Sequence, residues 1–137
     1  MTLVTNLRLV GGLLLLLGMS HAFFNRYFGW ERELETVSLL TRQIFFVHTF
    51  FIGLVVVLAG VVSLFYANAL LRPEALSRVI LAGMAAFWLC RLLAQFVAYD
   101  SAIWRGNRFR TFMHGAFSLL WCYVTATYAV ALMRLWH

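Results

Sequence analysis

Three of the four histidines, His21, His48 and His114, stand just inside long apolar runs, and the chemistry open to this chain is sought there first. An imidazole in hydrocarbon costs free energy unless it finds a partner, and neutral imidazole is the commonest metal ligand in proteins. A second set of polar groups sits at helical spacing. Trp88, Arg91, Gln95 and Tyr99 follow i, i+3, i+7, i+11, which puts them on one stripe of one helix, with Asp100 next along the chain. His114, Ser118, Cys122 and Thr125 form a comparable stripe. Polar stripes in lipid are expected to turn inward, toward one another.

Three imidazoles from three helices would suit iron, copper or zinc, with Asp100 as a further ligand. Two of them could instead be the axial ligands of a b-type haem, with Arg42, Arg91 or Arg105 meeting its propionates, or one could hold the magnesium of a chlorophyll-like pigment. Arg91, Gln95 and Tyr99 would then bind or polarise a lipid-soluble molecule such as a quinone. No HExxH, HxxE or CxxC is present, so a metal site at His21, His48, His114 and Asp100 rests on topology rather than on a local motif. The plainer alternatives are imidazoles bonded to backbone carbonyls, a polar network without metal, and an arginine that snorkels toward the headgroups. Cys90 and Cys122 read as small apolar core residues.

The elements that must position these residues are membrane spans. Of all residues 64% are hydrophobic and only 12% charged, a composition outside the soluble range. Ile44 to Leu71 carries no charge at all. At about 1.5 Å per residue that run exceeds the roughly 30 Å hydrocarbon core. Further spans are expected over about 9–24, 79–99 and 111–136. The first resembles a signal peptide in its Arg8, its leucine run and Ser20-His21-Ala22, but it is read as a retained span. Between spans one and two, the aromatic residues Phe23, Phe24, Tyr27, Phe28 and Trp30 suit the headgroup level, as does Trp104 further on. Glu31, Glu33 and Glu35 suit the first turn of a short interfacial helix. Pro73 marks the turn after span two.

Short connections predict an all-α, polytopic, antiparallel four-helix bundle forming a single membrane domain over 1–137. Gly11, Gly12, Gly18, Gly53, Gly60, Gly83 and Gly115 are small enough to permit close helix approach. Alternating direction puts both termini on one face and brings His21, His48 and His114 to the other, about 5–9 Å below the interface. His137 falls on the terminal face.

The net charge is +6, and every basic residue is arginine, all but Arg91 placed in the gaps between apolar runs or at their ends. Such a distribution favours headgroup anchoring over nucleic-acid binding. Arg26, Arg32, Arg42, Arg105, Arg108 and Arg110 outnumber Arg8, Arg72, Arg78 and Arg134, which predicts a cytoplasmic histidine face, in a bacterial inner membrane. The expected activity is redox chemistry on a lipid-soluble substrate at a metal or haem. The alternative is a non-catalytic accessory subunit of a respiratory or photosynthetic complex, paired with membrane partners or with copies of itself.

Overall fold

The computed structural model describes residues 2–100 and 106–136. Trp104, Arg105 and His137 lie outside the described residues. Helices follow in the order α1 (Leu3–Phe28), α2 (Trp30–Glu33), α3 (Leu39–Phe65), α4 (Ala67–Leu70), α5 (Ala75–Val97) and α6 (Arg108–Arg134). Among the described residues there is no strand. Four helices there, Leu3–Phe24, Leu39–Phe65, Ala75–Val97 and Arg108–Arg134, are long and apolar enough to cross a membrane. The all-α class and the number of spans therefore stand.

The helix ends differ from the ends of the apolar runs, because capping chemistry sets them. Helix α1 begins at Leu3 rather than near Leu9. Thr2 Oγ1 accepts the Thr5 backbone N–H at 3.2 Å, and the Asn6 side chain donates to the Thr2 carbonyl at 3.2 Å, so the polar first turn satisfies itself. Ser38 caps α3 by accepting the Thr41 N–H at 3.2 Å, and Asn107 caps α6 by accepting the Arg110 N–H at 3.0 Å. Gly29, at φ 66°, takes the left-handed conformation between α1 and α2 that a side chain would oppose. The expected interfacial helix is present but reduced to Trp30–Glu33. Helix α3 stops at Phe65, short of the Leu71 that apolarity alone suggested, and α4 follows as a separate turn. Helix α5 starts at Ala75, directly after Pro73 and Glu74, where Ser77 Oγ–H donates across the turn to the Ala69 carbonyl at 3.0 Å.

Two compact units make up the chain: Leu7–Ala67, and Met1–Asn6 with Asn68–His137. In the first, α1 and α3 pair antiparallel through glycines. A Cβ on Gly60 would lie 2.8 Å from the Leu15 backbone nitrogen, and one on Gly18 would lie 2.8 Å from that of Val57. A Cβ on Gly53 would lie 2.9 Å from the His21 Cβ, and one on Gly11 would collide with the Leu64 backbone. Gly11 and Gly18, like Gly53 and Gly60, are separated by seven residues, which keeps them on one seam of their helix. Among the described residues Gly12, Gly83 and Gly115 have no such neighbour, so the expectation that they too serve close approach is corrected.

In the second unit, α5 and α6 pair antiparallel through large side chains. The Trp88 and Trp121 rings stack with centroids 5.2 Å apart, and Phe117 stacks on Trp121 at 5.8 Å. Toward the other end of this pair, Arg78 lies over Trp136 at 5.3 Å. Tyr123 Oη–H also donates to Asn6 Oδ1 at 2.8 Å, tying the first residues of the chain to α6.

Candidate functional site

The residues expected to carry chemistry divide between the two units. In the first, His21 Nδ1–H donates to the Leu17 carbonyl at 2.8 Å, and His48 Nδ1–H donates to the Ile44 carbonyl at 2.9 Å. Each ring is thus bonded to the preceding turn of its own helix. A carbonyl can only accept, so Nδ1 carries the proton and Nε2 keeps its lone pair in the neutral ring. His21 rests against Gly53 and an aromatic cluster, with Phe24 at 4.6 Å, Trp30 at 6.3 Å from Phe24, and Phe45 at 5.0 Å from Trp30. His48 is exposed. It stands about 140° around α3 from Gly53, off the seam that meets α1.

The polar stripe of the second unit comes together as the spacing predicts. Arg91 Nη1–H donates to Gln95 Oε1 at 3.1 Å, and Gln95 Nε2–H donates to His114 Nδ1 at 2.9 Å. Gln95 is only 5% exposed, so these bonds are its means of being buried in an apolar setting. Their direction follows from arginine. Guanidinium can only donate, so the Gln95 oxygen must face Arg91, its nitrogen must face His114, and the neutral His114 ring must carry its proton on Nε2. His114 is thereby set up as a hydrogen-bond donor at Nε2, opposite to His21 and His48.

Arg91 also lies 4.8 Å from the centroid of Trp121 and 6.0 Å from that of Tyr99, within cation–π range. It stands about 9 Å before the last residue of α5, near the helix end. Its guanidinium reaches further that way, to Gln95. The negative end of the helix dipole favours a cation there. Among the described residues no carboxylate pairs with Arg91. Asp100 lies just beyond α5 and is exposed.

The matching stripe on α6 turns only partly inward. Ser118 Oγ–H bonds the His114 carbonyl at 2.8 Å, while Cys122 is exposed, as is Cys90, which corrects their reading as core residues. His114, Phe117 and Trp121 meet α5 instead. A serine can bond its own helix backbone and a thiol has little to satisfy, so neither is forced inward as Gln95 is. Trp88 and Trp121, 1% and 4% exposed, keep their indole N–H groups buried without an acceptor among the described residues. That property is tertiary and left no mark in the spacing. The seven-residue glycine spacing was the sequence signal for the α1–α3 seam.

Among the described residues, no three His, Cys, Asp or Glu side chains gather as a metal-binding group. The chain matches no protein-family model, no curated protein and no solved structure.

Proposed function

We propose that this protein binds a lipid-soluble molecule through an oxygen acceptor at the Arg91–Gln95–His114 relay, as expected of a protein acting on a membrane-borne substrate such as a quinone. The observation that carries this reading is the relay itself: a guanidinium on a membrane-spanning helix, oriented by a buried amide and backed by Trp121 and Tyr99. Charges kept inside spans are costly and mark binding and transport sites more often than structural ones. Tyr99, 45% exposed at the edge of this group, is placed to contact the same ligand. The arginine distribution favours a cytoplasmic location for this end of α5 and α6.

The test is equilibrium binding of a short-chain quinone to delipidated protein, read by quenching of tryptophan fluorescence, since Trp121 adjoins the site. Saturable quenching in the wild type that weakens at least tenfold in Arg91→Leu supports the reading. Non-saturable quenching, identical in both proteins, counts against it.

A metal or haem remains a second reading because of one feature. His21 and His48 each donate Nδ1–H to a carbonyl, the arrangement that orients a ring for ligation through Nε2. His114 differs, since its Nδ1 accepts from Gln95 and its Nε2 carries the proton. Elemental analysis of protein purified in mild detergent without chelator, beside His48→Ala, tests this. Stoichiometric iron, copper, zinc or magnesium lost in the variant would support it.

A further inference from the structure

We infer that the ligand of Arg91 is the two-oxygen anionic head of an acyl-chain amphiphile, a carboxylate or a phosphate diester; this rests on reading the relay as a binding site. Charge is the first argument. Arg91 is paired with a neutral amide and set against neutral rings, and no carboxylate among the described residues offsets it. A neutral carbonyl accepts a hydrogen bond and leaves the charge in place. An anion removes both deficits, and charge-assisted bonds are roughly twice as strong as neutral ones.

Geometry is the second argument. Gln95 takes one N–H of Nη1, and the guanidinium lies over the Trp121 and Tyr99 rings without donating to them, so the Nε and Nη2 edge keeps its parallel N–H groups for a ligand. Those two parallel N–H groups match two oxygens on one carbon or phosphorus. Donors also dominate the surroundings. The Trp121 ring beneath the guanidinium and the Trp88 ring stacked on it both carry buried indole N–H groups without an acceptor among the described residues. A site with a cation and surplus donors selects an acceptor-rich, negatively charged group.

The third argument separates an amphiphile from a free anion. Phe87, one turn further from the end of α5 than Arg91 and about 40° from it around the helix, is 46% exposed, an apolar surface that suits acyl chain. An ion arriving from water would leave that surface unused.

The experiment is a native mass spectrometry titration of delipidated protein in neutral detergent. The probes are oleate against methyl oleate, phosphatidylglycerol against diacylglycerol, and a short-chain quinone. Retention of at least one acid tenfold or more above its uncharged counterpart is expected, and which acid wins identifies the head as carboxylate or phosphate. Arg91→Gln should remove that preference. If the variant does not fold, the wild-type comparison of acid with neutral probe decides alone. Equal retention of acid and neutral forms overturns the inference. Quinone binding with no acid preference overturns it while leaving the binding-site reading intact, and absence of any bound probe overturns both.

Discussion

The α1–α3 pair and the α5–α6 pair solve the same problem by opposite means. Both must hold two apolar helices together where lipid competes equally well for apolar side chains, so hydrophobicity alone supplies no preference. Helices α1 and α3 remove side chains at the contact and bring backbones together at Gly11, Gly18, Gly53 and Gly60. Helices α5 and α6 keep large side chains, stack Trp88, Trp121 and Phe117, and add the Arg91–Gln95–His114 relay. The first solution leaves little room for anything else. The second keeps donors in the membrane, and function is sought there for that reason.

The sharpest way to break this contrast is to put bulk into the glycine seam. Gly60→Leu must push apart backbones that a single Cβ would already approach to 2.8 Å. Overpacking costs about 1–3 kcal/mol and more where backbone must move. Unfolding in a dodecyl sulfate titration should show a marked loss for Gly60→Leu. An unchanged midpoint would mean that the seam is not a tight contact.

Removing the amide from the relay should have the next largest effect. Gln95→Leu removes the acceptor of an Arg91 N–H and the donor to His114 Nδ1, at about 1–3 kcal/mol for the loss of buried hydrogen bonds. The imidazole nitrogen resonances of His114 should also change, because the Gln95 donor that directs the ring proton to Nε2 is then gone. A spectrum like that of the wild type would show that Gln95 does not set the tautomer.

A smaller loss is expected from Trp121→Phe, which keeps a ring against Trp88 but weakens the contact with Arg91, by about 0.5–2 kcal/mol. The same titration measures it, and a loss as large as that of Gln95→Leu would place the weight of the unit on the stack rather than on the relay. Smallest of all, and opposite in sign, is Gly83→Ala. A Cβ here would meet nothing within 4 Å among the described residues, so alanine should raise stability by about 0.5–1 kcal/mol through helix propensity. Destabilisation there would reveal a contact at Gly83 beyond those of the described residues.

Much of the architecture was legible because lipid imposes one rule everywhere. Uncharged runs of sufficient length must be helices, so four spans followed from Ile44–Leu71 and its three counterparts without knowledge of any contact. The stripe of Trp88, Arg91, Gln95 and Tyr99 followed equally well, since helical spacing fixes a shared face whatever the face meets. The helix ends did not follow. Thr2 and Asn6 extend α1 through local hydrogen bonds, and α3 ends at Phe65 within an apolar run, because hydropathy reports what lipid tolerates and not where backbone bonds stop.

The sequence by itself determined how many times the chain can cross a membrane, and which residues share a helical face. The tertiary structure alone decided which faces meet, and with them the chemistry of each histidine. The same residue type donates Nδ1–H to its own helix in His21 and His48, but accepts at Nδ1 from Gln95 in His114. The reason is physical. A helix always offers a carbonyl one turn back, so that bond needs only local sequence, whereas the His114 tautomer depends on an amide from another helix whose orientation Arg91 enforces.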